Sequence, residues 1–213
     1  MMKKAMVLAG AVLMGGSAAF GGLMSEDPGE LAVSGQAFLP DHADCDLFDV
    51  GYGAQISYRE WFSFPWGVGV NLGVSQWQVA SDADAFKIEY VGDYDGEALV
   101  IPFGASLFFN VIDWDNWNLI FETGLQYAFV ESSVDAYNDG DNRKMRQDAD
   151  IGGALLWTLG AEYEYMVSEN VYLTGGLGYQ LDVINEDTTF DGHVVRDVTF
   201  GGGFARLGAK FLF

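Results

Sequence analysis

Cysteine is almost missing from this sequence: Cys45 stands alone among 213 residues, so no intrachain disulfide can form. Histidine is nearly as scarce. His42 and His193 are the only two, and neither sits beside a serine in a recognisable nucleophile pattern. Cations are few, with ten Lys and Arg against 31 Asp and Glu for a formal charge of −21. Such a chain repels phosphates, which excludes nucleic acid as a partner. Past the N-terminal segment there is no run of 18 or more uncharged apolar residues, so no later helix can span a bilayer and any insertion must use strands.

Several familiar ligand motifs are also incomplete. "NDGDN" and "GDYDGE" resemble calcium loops, but an EF-hand needs acidic or amide ligands at positions one, three and five and a Glu at twelve. Around Gly140 the third position is Tyr137 and the twelfth Arg146; around Gly96 the first is Val91. The glycine runs "GVGVNLG" and "GGLGYQ" lack the following helix whose free N–H groups would hold a phosphate. Gly67, Gly69, Gly73, Gly176 and Gly178 read instead as positions that make room for Arg206, Trp77 or Tyr172. No metal and no cofactor is expected.

What is present begins with Met1-Met2-Lys3-Lys4, the apolar "AMVLAGAVLMGG" and the small residues Ser17-Ala18-Ala19. This is the pattern of a cleaved secretory signal peptide, assigned to residues 1–21. Its removal takes Lys3 and Lys4 and leaves the mature chain, residues 22–213, at −23. Yet half of all residues are hydrophobic and 15% aromatic, which excludes a disordered acidic chain. Charge and apolar bulk must therefore occupy different places.

From Leu31 onward the period is two. "LAVSGQAFL" sets Leu31, Val33, Ala37 and Leu39 against Ser34 and Gln36. "VGYGAQISYREW" sets Val50, Tyr52, Ala54, Ile56 and Tyr58 against Gly51, Gly53, Gln55, Ser57 and Arg59. In "WGVGVNLGVS" Trp66, Val68, Val70, Leu72 and Val74 oppose Gly67, Gly69, Asn71 and Gly73. Four more segments, "ALVIPFGASLFFNV", "WNLIFETGLQYAFV", "IGGALLWTLGAEYEYM" and "VYLTGGLGYQLDV", and the closing stretch from Val198 to Phe213 behave alike. Such alternation marks strands with one apolar and one polar face. Short connectors (Ser63 to Pro65, Ile112 to Asn116, Val167 to Glu169) exchange with long ones (Ala80 to Glu97, Glu131 to Asp150, Ile184 to Asp197), the first, Pro40 to Asp49, being intermediate. An up-and-down meander follows, with the acidic residues gathered in the long connectors.

The faces decide between a soluble and a membrane barrel. Eight strands enclose an interior that side chains just fill, so bulky rows from every strand would overcrowd it, while Gly and small polar rows fit. The bulky rows must face outward into lipid, and closure pairs every backbone group, as lipid requires. Trp61, Phe62, Phe64, Trp66, Trp114, Trp117, Tyr163, Tyr165, Phe211 and Phe213 cluster near the short turns as an interfacial girdle. The expected fold is all-β: an eight-stranded antiparallel up-and-down transmembrane β-barrel.

From Leu31 to Phe213 the chain resembles the small outer-membrane barrels typified by the transmembrane domain of outer membrane protein A and by outer membrane protein X. The resemblance rests on "IPFGASLFFNV", "FETGLQYAFV", "AEYEYMVSENVYLTGGLGYQ" and the terminal Phe213. It implies an outer-membrane location, short turns toward the periplasm and long loops outside. It also implies outer-membrane lipids as surroundings, and a last strand whose Phe211 and Phe213 serve as the signal read by the barrel-assembly machinery. A C-terminal peptidoglycan-binding domain is not expected.

The inward charges are Arg59, Glu122, Glu162, Glu164, Arg206 and Lys210, three cations and three carboxylates, all toward the short-turn end. Confined charges are costly unless paired, so they are expected to form an ion-pair network that plugs the lumen. The functional expectation is a non-enzymatic barrel with a structural or surface-interaction role through its acidic loops, whose ligand the sequence leaves unidentified. The alternatives are a narrow passage for small solutes or apolar ligands, and a lipid-modifying enzyme. A barrel of this kind needs detergent to stay in solution and changes its gel mobility on heating. A mature chain that stays dispersed in buffer alone, with mobility unaltered by heat, would contradict it.

Overall fold

The computed structural model describes residues 29–41, 47–79, 91–138, 144–145, 149–190, 193–194 and 198–213. The expected signal peptide, Cys45 and His42 lie outside them, as do the loop acids Asp44, Asp46, Asp82, Asp84, Glu89, Asp139, Asp141 and Asp148. Eight long strands follow in order: β1 (Glu30–Pro40), β2 (Phe48–Ser63), β3 (Trp66–Val79), β4 (Val91–Trp114), β5 (Trp117–Asn138), β6 (Ala154–Ser168), β7 (Val171–Asn185) and β8 (Gly202–Leu212). Each pairs antiparallel with its sequence neighbours, and β1 pairs with β8 to close the ring. The expected meander is what the chain forms.

The register fixes the shape. Stepping across paired residues from Glu30 through Arg59, Gly69, Ser106, Gly124, Thr158, Gln180 and Gly202 returns to β1 at Pro40, ten residues along. With ~3.3 Å per residue and ~4.7 Å between strands, that stagger tilts the strands by roughly 40°. Every residue on this path belongs to the inward row.

The outer wall is apolar. Val33, Ile56, Leu107, Leu125, Leu173, Leu177 and Leu207 are exposed on it, each at the parity read from the sequence. Near the short-turn end the aromatic rings meet: Trp114 and Trp117 lie 4.7 Å apart, Trp117 and Tyr163 5.5 Å, Trp66 and Phe109 4.7 Å. Trp61 departs from the expected girdle. It keeps the inward parity of Arg59, in regular register with Gly67, and its ring lies 5.8 Å from the Arg59 guanidinium; the register irregularity comes after it, before Ser63.

Two expected long connectors are shorter than read. Residues of Val91 to Glu97 and Glu131 to Asn138 belong to β4 and β5, which stay paired up to Val91 and Asn138, whereas β3 leaves β4 at Glu97 and β6 leaves β5 at Ala128. A two-stranded ribbon thus rises past the barrel rim. Beyond the rim neither lipid nor a packed core divides the two faces, so the apolar/polar alternation that reveals a strand is lost. Short ladders gather beside it: Lys144–Met145 pairs with β5, and Thr189–Phe190 pairs with both Ala149–Asp150 and His193–Val194.

Leu125, on the outer wall and more than half exposed, tests the assignment of faces. Leu125→Arg should destabilise the barrel in lipid vesicles by about 2–4 kcal/mol if the residue lies near the bilayer midplane, read from the urea midpoint of unfolding.

Candidate functional site

The lumen holds three layers, and the charged layer is nearest the short turns. Arg59 rises from β2 and its guanidinium crosses to β6, diametrically opposite in an eight-strand ring, where Nη2 meets Glu162 at 2.9 Å and Nη1 meets Glu164 at 2.9 Å. Nη1 also lies 3.4 Å from Glu30 on β1. Lys210 on β8 bridges Glu30 at 3.0 Å and Glu164 at 2.5 Å. Lys210, Glu30, Arg59 and Glu164 therefore close a ring of alternating charge. A branch continues from Glu162 to Arg206 Nε at 3.0 Å, and from Arg206 Nη2 to Glu122 on β5 at 2.6 Å.

All six inward charges read from the sequence meet in this one cluster. Glu30 makes a seventh member, so the balance is four carboxylates to three cations rather than three to three. Its signal was available: Glu30 shares the parity of Ser34 and Gln36, one step before the apolar row was taken to begin. Every member is buried, and neutral groups add hydrogen bonds to it, while Arg59 Nε and Asn71 Oδ1 find no partner among the described residues. Ser106 donates to Glu122 at 2.8 Å, and Asn71 donates to Ser106 at 2.6 Å and to Glu122 at 3.4 Å. The Phe108 ring lies 4.0 Å from the Arg59 guanidinium, and the Tyr172 ring 4.5 Å from the Lys210 ammonium. Cations over ring faces gain further stabilisation when desolvated.

Above the charges lies a small chamber of about 20 Å³, where Gln36, Gln55, Gln126, Gln180, Ser75 and Thr158 meet Phe38, Trp77, Leu156 and Phe204 of the layer above. That space admits about one water. Gln36 donates to Gln55 across its wall.

The third layer, toward the long loops, is apolar. Phe38, Leu47, Phe48, Trp77, Val79, Val100, Ile151, Leu156, Val198, Phe200 and Phe204 form one buried cluster. Trp77 is its centre: Phe38 stacks on it at 5.2 Å, and Phe48 and Phe200 approach edge-on at 5.7 and 5.9 Å. Its indole nitrogen is satisfied by Ser75 Oγ at 2.9 Å. Phe200 arrives from the segment before β8, its amide donating to Asp182 at 2.9 Å. Missing Cβ atoms make the room: one on Gly51 would fall 2.9 Å from the Trp77 ring, one on Gly178 2.3 Å from Phe204, and one on Gly176 2.9 Å from Arg206 Nε. Of the inward glycines singled out in the sequence, Gly176 does make room for Arg206. Gly178 accommodates Phe204, Gly69 Phe108, Gly67 Trp61 and Gly73 Pro102, none of them the expected occupant. The inward bulky residues Phe38, Phe108, Ile120, Leu156 and Phe204 escaped the sequence reading because, apart from Trp77, Tyr172 and the charges, that reading took the inward row as small and polar.

At the seam, the amide of Phe213 donates to Gly29 at 3.1 Å and its ring lies 6.2 Å from Tyr58. Phe211 faces outward and is exposed. Among the described residues no group of three or more His, Cys, Asp or Glu is arranged to hold a metal ion.

No family model matches the chain, and no curated protein matches it. Solved structures do. The outer membrane protein OprG from Pseudomonas aeruginosa superposes with a TM-score of 0.58 at 14% identity, over 88% of this chain and 97% of that one. A major outer membrane protein from Thermus thermophilus gives 0.51 at 16%, over 87% and 99%. Neisserial surface protein A gives 0.50 at 12%, over 87% and 96%. The shared property is the fold. With its closed ring, apolar outer wall and aromatic girdle, the protein is a small eight-stranded β-barrel of the outer-membrane type.

Breaking the charged layer from one side should be costly. Arg59→Met takes one cation from Glu162, Glu164 and Glu30, leaving Arg206 and Lys210 against four buried carboxylates, and is expected to lose about 3–5 kcal/mol in urea unfolding from lipid vesicles. Adding Glu162→Gln and Glu164→Gln to that variant should recover most of the loss.

Proposed function

We propose that this protein is a non-enzymatic outer-membrane barrel with a sealed lumen, which serves as a structural element and presents acidic loops at the cell surface. The observation that carries the reading is the double closure of the interior, by paired charges toward the short turns and by an aromatic plug toward the loops. An eight-stranded ring is already too narrow for an aqueous channel, and here the described side chains leave a water-sized chamber between the charged layer and the aromatic plug. Within this reading Arg59, Glu122, Glu162, Glu164, Arg206 and Lys210, with Glu30, act as a packing and sealing network rather than as an ion path.

The short turns face the periplasm and the loops face outward. The N-terminal 21 residues direct export and are cleaved, and Phe211 and Phe213 present the final strand to the barrel-assembly machinery. What supports this is the aromatic girdle at the short-turn end and the acidity of the long connectors, which suits water rather than lipid. Neither His42 nor His193 has a serine beside it in the sequence, and the carboxylates of the lumen are tied to cations, so nothing in these features supports catalysis.

The rival reading, a narrow passage, has a direct test. Purified protein in planar bilayers should give no single-channel current. Replacing Phe38, Trp77 and Phe200 together with alanine should leave it silent, because the charged layer remains. Discrete conductance in the native protein would overturn the sealed barrel.

A further inference from the structure

Glu60 breaks the rule of the outer wall. It pairs with Val68, and the neighbouring pair Arg59 and Gly69 belongs to the inward row, so Glu60 points toward lipid. It lies on the hydrocarbon side of Phe62, Phe64 and Trp66, the girdle residues around the turn that ends β2. A carboxylate there is expensive unless paired. Its hydrogen bond is from Tyr58 Oη, a neutral donor. Among the residues whose side chains are described, Arg59, Arg206 and Lys210 are the cations, and all three point into the lumen. Even so, Glu60 is only 7% exposed, enclosed within the wall.

The carboxylate opens onto a furrow of about 830 Å³ in the outer wall, within the ~300–1,000 Å³ typical of ligand pockets. Two rows of paired residues bound it: Glu60, Val68, Leu107 and Thr123 on one side, and Tyr58, Val70, Ala105, Leu125 and Trp157 on the other. Its floor is low because Ala105 and Thr123 are small where most outward positions are large. Trp157 closes the far end, its indole nitrogen donating to Thr123 at 2.8 Å. An apolar trough in lipid with a carboxylate at one end has the complement of an amphiphile with a cationic head.

We propose that Glu60 and this furrow bind a membrane lipid whose headgroup carries a primary ammonium, with the ammonium on the Glu60 carboxylate and an acyl chain along Val68, Ala105 and Thr123. A charge-assisted hydrogen bond forms where the described residues supply no cation, and the tail covers wall that would otherwise meet mobile chains. The inference rests only on the barrel lying in a bilayer, not on its lumen being sealed.

The test is native mass spectrometry of the full mature chain in detergent, with equal amounts of phosphatidylethanolamine and phosphatidylglycerol of identical acyl chains. The native protein should retain the ethanolamine lipid by about tenfold over the glycerol lipid. Glu60→Gln should abolish that preference, and Ala105→Phe, which fills the trough, should reduce retention of the ethanolamine lipid. Heat-shifted gel mobility confirms that each variant is a folded barrel, and the comparison of lipids on the native protein needs no variant. Equal retention of the two lipids, a preference that survives Glu60→Gln, or a second copy occupying the furrow as a lipid-free dimer would each overturn the proposal.

Discussion

The reach of one guanidinium across the lumen organises the lower half of this barrel. An eight-strand ring leaves an interior about as wide as a long side chain, and Arg59 spans it from β2 to the carboxylates of β6. Hydrogen bonds between adjacent strands fix the circumference, but they place no limit on flattening of the cross-section. A contact between opposite walls does. Arg59 supplies it with both terminal nitrogens, a planar geometry that an ammonium could not reproduce.

The interior then divides by chemistry. Carboxylates and cations occupy one end, amides and hydroxyls the middle, and aromatic rings the other end. Each layer finds partners of its own kind: ions meet counter-ions, Gln36 donates to Gln55, Gln180 to the Phe200 carbonyl, and the Trp77 indole to Ser75. A buried polar layer that is fully partnered rigidifies its surroundings, whereas one left partly unpaired costs stability. Outside, the order is simpler. The wall is apolar between its rims, and the one carboxylate embedded in it lies beside a trough. The same strands thus serve two solvents, and the period-two alternation keeps the two sets of demands apart.

That alternation is why so much of the fold could be read from the chain. Leu72, Leu125 and Leu207 face outward, and Arg59, Glu162 and Lys210 inward, because parity is preserved along every regular strand. Parity says nothing of where it ends. Trp61 keeps the inward parity of Arg59 and was grouped with the girdle only for its place beside the turn, and Glu30 was passed over because it preceded the first apolar residue of its strand. The ribbon formed by the ends of β4 and β5 gave no signal, since both of its faces lie beyond the apolar wall. The aromatic plug was missed for another reason. Phe38 and Phe204 occupy inward parity, but only the tertiary fold shows which ring each glycine admits, Phe204 at Gly178 and Trp77 at Gly51. Glu60 follows the outward parity faithfully, and what singles it out is the company of Ala105 and Thr123 from strands far away in sequence.

The seam between β1 and β8 gives the charged layer an order in time. Two of its three cations, Arg206 and Lys210, belong to the last strand, while all four carboxylates lie on strands that precede it. Before β8 docks, a single guanidinium answers four negative groups, and the open sheet carries an unbalanced charge along its inner face. Docking the final strand supplies both missing cations at once and joins the first residue of β1 to the end of the chain. The excess of negative charge in the layer therefore falls from three to one at the moment of closure, so the terminal strand acts as a latch drawn home by the charge it neutralises.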